Sequence, residues 1–289
     1  MNYEGNIIRP PSEAHSIILQ VSVGCSHNKC TFCGAYKGVR FRLKDPATIN
    51  EDIGFAANYC QKQTRVFIGD GDALIIPTER LVQIFTDIRE SLPWVNRISL
   101  YGNAKSILSK NNADLLKLKK LGLDRIYLGL ESGHDPTLKR IRKGVTAAQM
   151  ITAAERVRNV GLFLSVTVLL GIGGITDSTV HAAETGRILS AMKPNQIGAL
   201  TLMLLKNTPL YEDSVTGTFQ LPDRMQILSE LKIMVQHIDL DRAQFQANHA
   251  SNYLPISGRL ARDKERLLGI IEEGLRGRRD LRSETVRAL

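Results

Sequence analysis

The stretch His15-Ser16-Ile17-Ile18-Leu19-Gln20-Val21-Ser22-Val23 runs into Gly24-Cys25-Ser26-His27-Asn28-Lys29-Cys30-Thr31-Phe32-Cys33. The apolar run predicts a buried strand. The loop that follows spaces its cysteines as C-x4-C-x2-C and holds three of the four cysteines in the chain. A loop at the carboxyl end of a parallel strand is where α/β proteins place their chemistry. Three thiolates on one short loop suit an iron–sulfur cluster with one iron left open to a ligand. A structural zinc ion needs a fourth ligand close by, and His27 lies inside the loop, too near both neighbours to wrap round the same ion. Cys60 falls in a helix predicted over 50–62 and reads as a small buried apolar side chain. Four cysteines in 289 residues, with no secretory signal, do not make a disulfide framework.

Further strands follow in order, each ending in glycine or polar residues. Arg65 to Ile68 leads to Gly69-Asp70-Gly71-Asp72-Ala73, and Arg97 to Leu100 leads to Tyr101-Gly102-Asn103. Arg125 to Gly133 runs on into Leu138-Lys139-Arg140-Ile141-Arg142-Lys143-Gly144. Leu162 to Leu170 leads to Gly171-Ile172-Gly173-Gly174, and a sixth strand from Gln196 to Leu205 ends at Lys206-Asn207-Thr208-Pro209-Leu210. Helices are predicted between them over 50–62, 78–91, 105–121, 135–158 and 177–192. This alternation argues for parallel β/α units. Six of them make a partial (β/α)6 TIM-like barrel, of α/β class. The apolar run 162–175 is too short and interrupted to span a membrane; a parallel strand buried on both faces explains it. Taken alone, Asp70 and Asp72 read equally as a plain Asp-Gly turn or as a magnesium site.

Together, the cysteine loop, the Gly69–Asp72 turn and the Gly129-Leu130-Glu131-Ser132-Gly133 string with its basic continuation resemble the radical S-adenosylmethionine (SAM) superfamily. The likeness is to the branch with coproporphyrinogen dehydrogenase, the Elongator-type radical domain and the methylthiotransferases. That family's usual loop is C-x3-C-x2-C with an aromatic residue before the last cysteine. Phe32 takes the aromatic place, and one more residue lies between Cys25 and Cys30. The resemblance covers roughly residues 9–212. It implies that Cys25, Cys30 and Cys33 ligate a [4Fe-4S] cluster whose fourth iron takes SAM. Gly69, Asp70, Gly71 and Asp72 would then meet the SAM amino group, with Tyr101 and Asn103 reaching in from the next strand. Glu131 would contact SAM, and Lys143, twelve residues on, its carboxylate. Thr167 would face the ribose, and Leu169 would wall the adenine. The implied reaction is reductive cleavage of SAM to a 5′-deoxyadenosyl radical that takes hydrogen from a substrate carbon. The electron would come from a donor of flavodoxin or ferredoxin type. Two other readings stay open: a cluster-containing carrier resembling the haem chaperones, and a zinc-stabilised RNA-binding protein.

Beyond the barrel, amphipathic 222–238 and 258–275 read as helices, so the division expected is a barrel over 1–220 and a mostly helical C-terminal extension over 221–289. If 243–247 adds a strand, Asn248, His249, Ser251 and Asn252 stand at the barrel mouth as candidates for substrate contact. Capping and turn formation by Asn and Ser is the competing reading. The net charge of +9, from 38 basic and 29 acidic residues, permits an anionic substrate or RNA and requires neither. Arg276, Arg278, Arg279, Arg282 and Arg287 are mixed with Asp280 and Glu284 and read as a solvated tail. A small-molecule substrate is therefore favoured over RNA. With no signal peptide and no membrane segment in the sequence, and with thiols that must stay reduced, a cytoplasmic, oxygen-sensitive protein is expected.

Overall fold

The computed structural model describes residues 1–288. In chain order its strands and α-helices are β1 (Ile17–Gln20), β2 (Ser22–Val23), β3 (Arg42–Leu43), α1 (Pro46–Tyr59), β4 (Arg65–Gly69), α2 (Thr78–Ser91), β5 (Arg97–Tyr101), α3 (Ala104–Ser109), α4 (Asn112–Lys120), β6 (Leu123–Glu131), α5 (Asp135–Arg140), α6 (Ala147–Asn159), β7 (Phe163–Leu170), α7 (Gly174–Met192), β8 (Gln196–Thr201), α8 (Pro209–Val215), α9 (Arg224–His237), β9 (Gln244–Ala247), β10 (Ile256–Arg259) and α10 (Lys264–Leu275). Eight strands form one mostly parallel sheet in the order β1-β4-β5-β6-β7-β8-β9-β10. This is the expected α/β architecture, with six strands where the alternation placed them. The C-terminal part carries helices, and it also adds two strands. Gln244-Phe245-Gln246-Ala247 alternates polar and apolar, burying Phe245 and Ala247 completely, which is the period of a strand.

Three predicted elements are broken by local chemistry. The first strand stops at Gln20, and Ser22–Val23 pairs instead, antiparallel, with Arg42–Leu43. The helix expected over 105–121 is two helices. Asn111 accepts from the Asp114 N–H at 2.8 Å while the Asp114 carboxylate accepts from the Asn111 N–H at 3.0 Å, a capping box that starts a new helix. The helix expected over 135–158 breaks where Arg142 takes φ +54°, outside the right-handed helical region.

The chain divides into two units. The first comprises Met1–Asn28, Ala35–Leu128 and Glu155–Leu164. Its parallel strands pair Ile17 with Val66, Arg65 with Arg97, and Ile98 with Leu123. Phe67, Ile68, Leu81, Phe85, Ile88, Leu92, Ile98 and Leu100 fill its core. Phe67, Tyr101 and Tyr127 meet edge-on, with ring centroids 5.2–6.0 Å apart. The indole N–H of Trp94 donates to the Gln63 carbonyl at 3.1 Å. Glu13 is fully buried and accepts from Tyr127 at 2.6 Å, from Arg97 at 3.0 Å and from Ser16. Burial alone would raise its pKa, but these donors and the Arg97 charge outweigh it and hold the carboxyl below its usual value.

The second unit comprises Lys29–Gly34, Gly129–Ala154 and Ser165 onward. Here Ser165 stands opposite Gln196 in parallel, Gln196 opposite Gln244 in parallel, and Ala247 opposite Ile256 antiparallel. Along β7 and β8, Val166, Val168, Ile197 and Ala199 are buried, whereas Thr167, Leu169, Gly198 and Leu200 are part-exposed on the other face. The strand expected to be buried on both faces therefore has one open face. Among the described residues no helix is long and apolar enough to cross a membrane.

Candidate functional site

In the first unit, two buried carboxylates fix the backbone around Cys25. The Gly24 N–H and the Gln20 side-chain amide donate to Asp70 Oδ2 at 3.1 and 2.9 Å, and the Tyr36 hydroxyl donates to Oδ1 at 3.2 Å. Burial pushes the Asp70 carboxyl above its usual pKa, with those donors partly offsetting it. Burial, and then the neighbouring Asp70, drives the Tyr36 phenol far upward, so that it remains a donor. Asp72 Oδ2 accepts from Ser26 Oγ at 2.6 Å and from Asn103 Nδ2 at 2.6 Å, and Oδ1 accepts from the Asn103 N–H at 3.1 Å and from Ser106 Oγ at 2.7 Å. Asn103 also caps α3 by accepting the Ser106 N–H at 2.8 Å. Gly71 N–H donates to the Gly24 carbonyl at 3.3 Å. A Cβ at Gly71 would stand 2.9 Å from the Cβ of Cys25 and 2.8 Å from the Tyr36 ring, so only glycine permits this approach. The turn Gly69–Asp72 thus touches the loop residues on either side of Cys25. Among the described residues no three His, Cys, Asp or Glu side chains gather round one ion. Asp70 and Asp72 bind protein donors instead.

In the second unit, the segment carrying Cys30 and Cys33 is docked by its backbone. Thr31 donates its N–H to the Ile141 carbonyl at 3.0 Å and accepts the Leu210 N–H at 3.0 Å. Asn207 Nδ2 donates to the Gly34 carbonyl at 2.9 Å. Phe32 packs with Leu169 against Leu138, Ile141, Ile172, Leu202 and Leu210, so both serve as apolar anchors. Glu131 ends β6 at φ +63°, a conformation disfavoured for residues other than glycine. Its carboxylate accepts from Lys143 Nζ at 2.9 Å, with only about a tenth of either side chain exposed. A Cβ at Gly129 would collide with that carboxylate, so the glycine leaves it room. Thr167 is part-exposed opposite Gly198.

The four substrate candidates separate. Ser251 and Asn252 are buried and fasten the turn after β9 to the end of β8. Ser251 Oγ accepts the Thr201 N–H at 3.2 Å, Thr201 Oγ1 donates to Asn252 Oδ1 at 2.8 Å, and Asn252 Nδ2 donates to the Ala199 carbonyl at 2.8 Å. His249 Nδ1 lies 2.9 Å from Ser251 Oγ, and burial, then Arg282, lowers its pKa. Asn248 is exposed. The tail is not wholly solvated, since Arg287 is buried. It donates to the Ser251 carbonyl at 2.6 Å and to the Tyr253 hydroxyl at 2.5 Å, with its guanidinium 4.0 Å from the Tyr253 ring centre. Reading the sequence missed Gln20, Ser26 and Ser106. Their only sequence signal is their nearness to the glycine turns, because each acts through a partner distant in the chain.

The sequence pattern of the radical SAM superfamily matches residues 19–185, more than half of the chain. The chain belongs to the radical SAM superfamily. This radical SAM chain is 26% identical over 235 residues to the Uncharacterized protein MJ0486 of Methanocaldococcus jannaschii, covering 77% of this chain and 71% of that one. It is 24% identical over 232 residues to 4'-phospho-dehydrooxetanocin synthase of Priestia megaterium, covering 70% of this chain but 30% of the synthase. Among solved structures it resembles coproporphyrinogen III oxidase (HemN) from Escherichia coli with a TM-score of 0.56 at 12% identity, covering 76% and 51% of the two chains. It also resembles methylornithine synthase (PylB), with a TM-score of 0.53 at 18% identity, covering 77% and 63%. Likeness at these identities is likeness of fold.

The donor set of this radical SAM chain fits the family's cluster. Cys25, Cys30 and Cys33 are half-buried, and no disulfide joins cysteines among the described residues. A cube takes one thiolate per iron, so three sulfurs need not converge on a single ion as a zinc site would require.

Proposed function

We propose that this chain is a radical SAM enzyme in which Cys25, Cys30 and Cys33 hold a [4Fe-4S] cluster and SAM binds at its open iron. When bound, the two cofactors supply one-electron cleavage of the sulfonium C–S bond, giving methionine and a 5′-deoxyadenosyl radical for hydrogen abstraction from substrate. The chain's own residues bind and orient. Asp70 and Asp72 hold the Gly69–Asp72 turn against the loop around Cys25, leaving backbone groups of Gly69 and Gly71 for the SAM amino group. Lys143, already paired with Glu131, offers an ammonium to the SAM carboxylate, with Glu131 beside it. Thr167 takes the ribose from the open face of β7. Phe32 and Leu169 present apolar surface near the adenine. Tyr101 and Asn103 shape the end of β5.

The observation that carries this reading is three cysteines within nine residues, in the loop that follows β2, inside the segment that matches the superfamily. A small-molecule substrate is supported by relatives whose names denote small-molecule chemistry, such as the synthase from Priestia megaterium. The electron would come from a carrier of flavodoxin or ferredoxin type in a reducing cytoplasm.

Anaerobic reconstitution with iron and sulfide, followed by dithionite and SAM, tests it. The expected result is about four irons and four sulfides per chain, a brown chromophore, and release of 5′-deoxyadenosine. A loaded cluster without 5′-deoxyadenosine would instead favour a carrier. Zinc in place of iron would refute the cluster altogether.

A further inference from the structure

Three residues not used above form one buried chain in the second unit. Ser132 directly follows Glu131, His181 lies on α7 and Glu230 on α9, and none is more than 1% exposed. Ser132 Oγ is 2.7 Å from His181 Nδ1, and His181 Nε2 is 3.2 Å from Glu230 Oε1. Glu230 also accepts the Gly171 N–H at 2.6 Å and the Ser178 hydroxyl at 2.6 Å. Ser132 Oγ accepts the His134 N–H at 3.0 Å. The Glu230 carboxylate accepts at Nε2, so a neutral His181 ring carries its hydrogen there, and its bare Nδ1 accepts the Ser132 hydroxyl proton. Thr185, one turn along α7, accepts the Gly133 N–H at 2.8 Å and gives its proton to the His181 carbonyl at 2.6 Å. A Cβ at Gly133 would stand 2.7 Å from the backbone of Glu184 and Thr185, so α7 is pressed directly onto the turn after β6.

The residue types are those of a hydrolytic triad, but Ser132 is 0% exposed and no substrate reaches it. What the chain does is connect two strand ends. At one end lies the turn after β6, where Glu131 is held at φ +63°, a conformation that persists only where the surroundings enforce it. At the other lies Gly171, at φ +84°, opening the turn after β7.

We infer that Glu230, His181 and Ser132 are positioning residues that set the turn after β6, and with it the Glu131–Lys143 pair, against the turn after β7. The inference rests on the proposed function, in which that pair meets SAM. One buried carboxylate with three donors serves both turns, so removing a link of the chain displaces the pair without touching a cofactor ligand.

The test is Ser132→Ala in the anaerobically reconstituted full chain, with SAM affinity measured by titration calorimetry and by the SAM-induced change in the EPR spectrum of the reduced cluster. Ser132→Ala removes the bonds to His181 and to the His134 N–H, and the expected result is about a tenfold weaker Kd, with about one bond's worth of the loss reaching the pair and with iron content and visible absorption unchanged. Ser132→Thr, which keeps the hydroxyl, should recover most of the affinity. In 15N-histidine-labelled protein, His181 should show a bare Nδ1 and a protonated Nε2. Ser132→Ala binding SAM as tightly as the wild type would overturn the inference while leaving the proposed function intact. A wild type that does not bind SAM would overturn both. Should Ser132→Ala fail to fold, the wild-type spectrum decides: a protonated Nδ1 refutes the chain of donors, and a bare Nδ1 supports it.

Discussion

Asp72→Asn is the substitution whose cost follows most directly from geometry. The carboxylate is completely buried and takes four donors, two on each oxygen. In the variant the remaining oxygen keeps the Asn103 N–H and the Ser106 hydroxyl, while an NH2 replaces the oxygen facing Ser26 and the Asn103 amide. Ser26 can rotate its hydroxyl to accept. The Asn103 amide cannot flip without giving up the Ser106 N–H that it caps at 2.8 Å. One buried N–H is thus left without an acceptor, at about 1–3 kcal/mol, and the surviving bonds lose their charge assistance. The expected loss is about 3 kcal/mol, read as a lower urea midpoint with an unchanged slope. Iron loading should fall in parallel, because the turn beside Cys25 loses its bond to the Asn103 amide and the charge that strengthens its bond to Ser26. A stability change below about 0.5 kcal/mol, the range of an ordinary surface substitution, would refute the assignment of Asp72 as the clamp.

Lys143→Ala leaves Glu131 largely buried and unpaired, so a loss of up to about 3 kcal/mol is expected, together with weaker SAM binding; calorimetric titration and thermal melts check both. Glu13 ionises at lower pH folded than unfolded, so it contributes stability above the usual carboxylate range. That contribution is lost as pH falls through the folded value, and Glu13→Gln should flatten the acid side of a stability–pH curve. Arg287→Ala removes a buried side chain that reaches Ser251 and Tyr253, and should lower the melting midpoint by the equivalent of about 2 kcal/mol. Cys30→Ala should abolish the visible absorption of the reconstituted cluster and 5′-deoxyadenosine release together, whereas Cys60→Ala should leave both.

The parallel strands and their order were readable because each carries β-branched or aromatic residues and runs into a stretch of glycine or polar residues. The breaks were harder to see. Asn111 and Arg142 interrupt runs with helical composition, and the first acts through a cap that periodicity averages away. Of the two C-terminal strands, the one offered over 243–247 forms as Gln244–Ala247, whereas β10 buries only Ile256 of its four residues, too little for a period-two signal to rise above composition. At the site, the cysteines and glycine turns were legible because their chemistry is local. Asp70 and Asp72 stand out in the sequence through their glycine turn, but their donors lie 31 to 50 positions away, and only the fold brings those donors to them. The same holds for Ser251 and Asn252, whose amide and hydroxyl serve β8.

Trp94 is the sole tryptophan of the chain, and its hydrogen bond to Gln63 places it wholly within the first unit. Nature has thereby installed a private fluorophore in one half of the molecule, whereas circular dichroism reports on both halves. Recording the two signals along one denaturant gradient tells whether the halves melt in concert or in sequence, with no label added. Coincident curves mean a single cooperative transition, and separated curves assign the earlier or later step to the half that carries the indole.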